Sequence, residues 1–333
     1  MRGNTHSRSS RTSARAEAQR DAALGRHATQ PSNIPWRGWR QVIWRTYFEI
    51  VSDRISLVAA GCAFYATLAL FPAITMVISV YGLVFDPKTV EPQLQVIQQL
   101  LPPAAFSLIA DRVHALVSQE KASLGFSVLV STMIALWSSS TGTKSLLSAL
   151  NMAYEERERR SFLGFQVLGL TMTLCGILGA IVALVILVFL PVAIEFVGLD
   201  GYSKVLLRIV SLGLLIAFVM TSLSLLYYFG PSRQSARWYW ITPGSSIATL
   251  LWLTASLLFS LYVGHIASYD TSYGPIGAVV GVMMWFWVSA YAVLLGAELN
   301  AELELQTSED TTTGPPKAFG ERGAFVADHV AED

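Results

Sequence analysis

The 333-residue chain is 53% hydrophobic and only 14% charged, against about 25% charged residues in an ordinary soluble domain, which excludes a soluble globular protein. Its formal net charge of zero removes the basic excess that general nucleic-acid binding requires, so no nucleic-acid partner is expected. The balance conceals a polarity: ten of the 23 Lys and Arg lie before residue 55, and nine of the 23 Asp and Glu lie from Glu298 onward.

Residues 1–34 mix Arg, Ser, Thr, Ala and Gly without periodicity and read as a disordered cytoplasmic tail. They hold no apolar core segment and no twin arginine, so the first span is expected to act as its own insertion signal. Trp36, Trp39, Ile43, Tyr47 and Ile50 then recur at steps of three and four, with Arg37, Arg40 and Arg45 between them. That pattern predicts an amphipathic helix in the membrane interface, or one packed on the protein's own cytoplasmic end.

Ile55 to Phe85 runs without a charge and exceeds the roughly 20 residues that a bilayer core needs. Pro72 lies near its middle, cannot donate to the carbonyl of Leu68, and predicts a kinked or broken first helix. Residues 86–123 are too polar to cross and predict two short amphipathic helices resting on the outer face, separated by Pro102-Pro103. Further spans are predicted at Leu124–Thr143, Leu163–Val192, Val205–Phe229, Ile241–Val263 and Pro275–Ala297. A charged link, Lys144 to Ser161, joins the second to the third. The acidic tail, 306–333, lacks periodicity and reads as disordered. The expected fold is an all-α membrane protein with six transmembrane helices, its membrane domain covering residues 35–305. Basic residues flanking the first span place both termini in the cytoplasm.

Several blocks, in order, resemble one family. Ala59-Ala60-Gly61-Cys62-Ala63-Phe64-Tyr65-Ala66-Thr67-Leu68-Ala69-Leu70-Phe71-Pro72 is similar to the opening signature of the YihY/BrkB family. Trp137-Ser138 with Leu150-Asn151, and Pro231 with Trp240-Ile241-Thr242-Pro243-Gly244, resemble its middle blocks. Tyr273-Gly274-Pro275-Ile276-Gly277-Ala278-Val279 and Leu295-Gly296-Ala297-Glu298-Leu299-Asn300-Ala301-Glu302 resemble its sixth span and exit. The resemblance covers residues 36 to 305. It implies a multi-span protein of the bacterial inner membrane, in a family some of whose members were formerly labelled ribonuclease BN and which has no settled activity.

The residues argue against that label. A metal-dependent nuclease needs several His, Asp or Glu converging on its ions, yet His6, His27, His114, His265 and His329 are scattered and form no HxH or HExxH pattern. Gly142-Thr143-Lys144-Ser145 echoes the end of a phosphate loop, but Trp137 stands where its first glycine belongs, and a membrane span precedes it. No catalytic residue, metal or cofactor is expected. Cys62 and Cys175 read as buried free thiols on different helices.

Glu298 is the ionisable group nearest a span interior, with Asn300 beyond it. It reads as an interfacial cap facing water or pairing with the Arg-rich link, or else as a gate or coupling carboxylate. Ser138, Ser139, Ser140, Thr141 and Thr143 end the second span, and Tyr65 and Thr67 precede Pro72. The expectation is a polar cavity among spans one, two and six where Tyr65, Ser138 and Tyr273 meet an amphiphile; the alternative is helix-to-helix bonding by these hydroxyls. Phe71, Pro72, Asn151, Gly274, Glu298 and Asn300 complete the candidate pathway. Gly277 and Gly281 form a GxxxG, read as close packing within the bundle or as a homodimer seam. Trp285-Phe286-Trp287 is expected to face lipid or pack on a neighbour. The functional expectation is an exporter or flippase-like carrier of a lipid or other amphiphile, with membrane lipids as partners. The alternative is a scaffolding protein of the envelope.

Overall fold

Apolar stretches of this length close their backbone hydrogen bonds only as helices when they face lipid. The computed structural model describes residues 18–84, 121–186, 201–265 and 275–331. Its long helices are α1 (Trp36–Ser52), α2 (Ile55–Val84), α3 (Lys121–Ala153), α4 (Phe162–Leu184), α5 (Gly201–Phe229), α6 (Trp238–His265) and α7 (Pro275–Leu305). Among the described residues five helices, α2 and α4 to α7, are long and apolar enough to cross a membrane. The only β pairing among those residues is a bridge between Ala236 and Thr312. The amphipathic helices expected within 86–123 fall largely outside the described residues, as do Tyr273 and Gly274.

α7 is the hub. It packs on α6, α2, α1 and α3, while α2 makes its broadest contact with α3. That seam is antiparallel and built from small residues. Cys62 lies opposite Ser145, at 3.6 Å, and Ser139 Oγ donates to the Ala69 carbonyl at 3.3 Å. A Cβ added at Gly142 would come within 3.1 Å of the Ala66 Cα, so this glycine sets how close the two helices lie. Of the expected kink or break at Pro72, the break does not occur, for α2 runs through the proline as one helix. Ser139 of α3 donates to the Ala69 carbonyl of that turn, next to the Leu68 carbonyl that Pro72 leaves without its donor.

α7 is fixed to its neighbours by side-chain hydrogen bonds across apolar contacts. Trp287 Nε1 donates to the Ser56 carbonyl at 3.0 Å, Trp252 Nε1 to Ser289 Oγ at 3.0 Å, and the Tyr227 hydroxyl to the Val293 carbonyl at 2.7 Å. Trp285 meets the Trp252 ring edge-on, so this aromatic cluster packs on neighbouring helices. Gly281 is different. An added Cβ there would meet no atom of the described residues within 4 Å. Cys62 is buried as expected, but Cys175 is exposed on α4.

Both described terminal segments lie at one end of the bundle, called here the terminal end. The tails correct the sequence reading. Residues 18–24 are helical, and Arg26 O and Ala28 O accept hydrogen bonds from Ser308 and Thr307. Residues 307–331, expected to be disordered, are folded onto the bundle. The Arg322 guanidinium donates to the carbonyls of Ser308, Glu309 and Ala327, and Asp328 accepts from the backbone of Gly320, Arg322 and Gly323. Polar clamps of this kind carry no helical or strand periodicity, which is why the sequence pattern did not announce them.

Candidate functional site

The last turns of α7 place two polar rows among apolar neighbours. Glu298, Glu302 and Gln306 follow one another at i, i+4 and i+8, while Asn300 and Glu304 lie on a second row; Leu299, Ala301 and Leu303 between them are buried. All five polar side chains are buried too, Glu298 to 3% exposure. Buried charges persist when paired, and most of these are.

The first row meets α1. Arg45 Nε donates to Glu302 Oε2 at 2.5 Å, and its Nη2 donates to the Glu302 carbonyl and to Gln306 Oε1 at 2.8 Å. The second row meets the α5–α6 link. Arg233 Nη2 donates to Glu304 Oε2 at 2.6 Å, an oxygen that also accepts from Thr311 Oγ1 at 2.6 Å. The guanidinium of Arg233 stands 5.1 Å from the Tyr154 ring centre. Burial pushes the Tyr154 hydroxyl well above its ordinary range, so it stays a neutral donor.

At Gly244 and Gly296, α6 and α7 touch backbone to backbone. A Cβ on Gly244 would collide with the Gly296 carbonyl oxygen and the Asn300 side chain. That contact lets the Gly244 N–H donate to Asn300 Oδ1 at 2.8 Å. Pro243 precedes it inside α6, so a helix with one donor missing is tied here to α7.

Glu298 is the exception to the pairing. It lies within electrostatic reach of Asp53, Glu302, Glu49 and Glu155, and its Oε1 has no hydrogen-bond partner among the described residues. Burial, followed by repulsion from nearby carboxylates, raises the pKa values of Glu49 and Glu155; burial alone raises that of Asp53. The reading of Glu298 as a cap facing water or paired with the Arg-rich link is therefore corrected. Two arginines of that link are engaged elsewhere: Arg160 holds the carbonyls of Phe229, Gly230 and Pro231, and Arg159 pairs with Glu156.

Asn151 lies apart from the Glu298 row, as a clamp between two links. Its amide donates to Glu158 at 2.9 Å, and its carbonyl accepts from the Ser232 N–H at 2.7 Å. Tyr65 and Phe71 are exposed on α2, Ser138 is exposed on α3, and Pro72 is half-buried. Glu298 and Asn300 thus share the polar centre, while Tyr65, Phe71, Pro72 and Ser138 lie on the flank of the bundle. Arg45, Arg233, Tyr154, Glu302 and Glu304 escaped the sequence reading. The signal available was three glutamates at i, i+4 and i+6 closing an otherwise apolar helix.

The sequence model of the family described as Virulence factor BrkB matches residues 46–321. A relative named as ribonuclease-like, YfkH of Bacillus subtilis (strain 168), is 31% identical over 74% of this chain and 88% of its own length. The UPF0761 membrane protein PSHAa0171 of Pseudoalteromonas translucida is 23% identical over 82% of this chain and 88% of its own. A UPF0761 membrane protein of Albidiferax ferrireducens is 27% identical over 83% and 65%. No solved structure matches the chain. Among the described residues no three His, Cys, Asp or Glu side chains are grouped to hold a metal ion.

Proposed function

The chain belongs to the Virulence factor BrkB family of membrane proteins, and from that premise we propose that it is a carrier, exporter or flippase-like, for a lipid or other amphiphile. The observation that carries this reading is Glu298. An ionisable side chain buried within a span, 3% exposed and with one oxygen lacking a protein hydrogen bond, is costly and is retained in membrane helices chiefly where charge or cargo is handled. In this reading Glu298 and Asn300 form the gate or coupling centre, and the amphiphile passes along the flank marked by Tyr65, Phe71, Pro72 and Ser138, with Tyr273 and Gly274 as further pathway residues outside the described ones.

The same reading places the chain in the bacterial inner membrane with six crossings and both termini cytoplasmic. Three features support it. The arginine-rich segment precedes the first span, α3 runs antiparallel along α2, and both described terminal segments meet at one end. α1 then lies in the interface. Its face of Trp36, Ile43, Trp44, Tyr47, Phe48 and Val51 is exposed, while Gly38, Val42 and Thr46 are buried.

The test is transbilayer movement of fluorescent lipids in vesicles holding the purified protein, against Glu298→Gln and Pro72→Ala. Movement abolished by Glu298→Gln, in a variant that still folds, is the expected result. Absence of movement for every head group would overturn the carrier and favour the scaffolding alternative. Movement undiminished in Glu298→Gln would remove Glu298 from the mechanism.

A further inference from the structure

Lys144 is a cation that the polar centre does not use. It lies on α3 facing α4, and its stem runs over the bare backbone of Gly169, where an added Cβ would come within 2.6 Å of Lys144 Cγ. Its ammonium donates to Gln166 Oε1 at 2.7 Å and stands 5.3 Å from the ring centre of Trp137. Gln166 is itself buried, to 8% exposure. Both partners are neutral. Among the described residues no carboxylate pairs with Lys144, whereas Arg45, Arg159, Arg160 and Arg233 each have one. An ammonium carries three donors, and Gln166 takes one.

The surroundings are amphiphilic in a definite order. Trp137, Thr141, Lys144 and Ser148 follow at i, i+4, i+7 and i+11 along α3, and Trp137, Thr141 and Ser148 are exposed. Beyond Trp137 the same helix exposes Val130, Met133 and Ile134, and α4 exposes Val167 and Leu174 alongside. Gln166 lies four residues after the start of α4, about 6 Å along its axis, which puts Lys144 near the end of the span. A lone cation at that level, flanked by hydroxyls and standing at the end of an apolar strip, matches one phosphate with its acyl chains.

We propose that Lys144 and the α3–α4 surface around it bind a membrane phospholipid, with the phosphate on the Lys144 ammonium and the Thr141 and Ser148 hydroxyls, and the acyl chains along Val130 to Trp137. The site stands independently of the carrier reading, since it concerns equilibrium binding and requires no movement of the lipid.

The experiment is photolabelling of the full chain in detergent with a photoactivatable phosphatidylglycerol, the labelled peptide being identified by mass spectrometry. Unlabelled phosphatidylglycerol, diacylglycerol and inorganic phosphate serve as competitors. Label is expected on the peptides spanning 130–148 and 162–174. Phosphatidylglycerol should compete about tenfold or more strongly than diacylglycerol, the value of one charge-assisted contact set, and inorganic phosphate should compete weakly. Lys144→Met keeps the stem over Gly169 and should lose that preference, while Lys144→Arg should keep most of it. Label elsewhere, or equal competition by diacylglycerol, overturns the proposal on wild-type protein alone, even if the Met variant fails to fold. Competition by inorganic phosphate as strong as that of the lipid would also overturn it, by making this a site for free anions.

Discussion

The ion pair between Arg233 and Glu304 can be tested to a number. The two side chains are 3% and 1% exposed and meet at 2.6 Å, so neither charge has water to fall back on. Removing one partner from such a pair leaves the other buried and uncompensated, at a cost of about 3–5 kcal/mol. Glu304→Leu should cost at the upper end, because Thr311 Oγ1 also loses its acceptor, a further contribution of about 1 kcal/mol. Arg233→Met should fall at the lower end, since Thr311 keeps its contact. The double variant removes both charges and should retain little beyond the roughly 1 kcal/mol at Thr311. The coupling energy in the cycle, the two single costs less that of the double, is then about 5 kcal/mol or more. Equilibrium unfolding in mild detergent, followed by tryptophan fluorescence, gives all four corners. Singles that each cost below about 1 kcal/mol, as expected of an exposed pair, would refute the reasoning, and so would a double equal to their sum.

Three other outcomes follow from the same geometry. Gly244→Ala gains about 1 kcal/mol of helix propensity but drives a methyl group into the Gly296 carbonyl and Asn300; a net loss of about 1–3 kcal/mol should appear in the same unfolding assay, and a gain would show that the crossing can relax. Asp328→Ala deprives three backbone N–H groups of their acceptor and should speed tryptic cleavage after Arg322 by loosening the folded tail. Unchanged cleavage would mean that the other contacts suffice. The third outcome concerns pH. Burial first, and repulsion second, raise the carboxyl pKa values of Glu49 and Glu155, and burial is the leading cause at Asp53 and Glu156. The folded form then holds these protons more tightly than the unfolded chain. Their contribution to stability is full below the ordinary values of 4.5 for Glu and 3.8 for Asp, and is lost as pH rises through the raised ones. Thermal stability of the terminal end should therefore increase as pH falls from neutral toward the ordinary carboxylate range. Asp310 and Glu158, whose pKa values their hydrogen bonds lower against the opposing effect of burial, set the acid limit, because their contribution is lost below 3.8 and 4.5. A melting temperature that falls monotonically over that first interval would contradict the sign.

That this is a helical membrane protein was legible in the residues alone, because runs of uncharged residues longer than a bilayer core leave the backbone no other way to satisfy its polar groups. So were the family, through ordered motifs, and the existence of α1, through spacings of three and four. The spacing did not tell which way that helix turns. Ile50 and Trp39 of the expected stripe pack on the core, while Trp44, Phe48 and Val51 join the exposed face. Tertiary structure alone decided the fate of Glu298. Whether a glutamate near a helix end faces water depends on what surrounds it, and here Glu49 of α1, Asp53 of the following turn and Glu155 stand within electrostatic reach from distant parts of the chain. The same holds for Arg45 with Glu302 and Arg233 with Glu304, pairs separated by 257 and 71 residues. Local pattern records the period of a helix and the length of a span. It carries no record of the partner that a buried charge will meet, because that partner is brought into place only when α7 packs against α1 and the α5–α6 link.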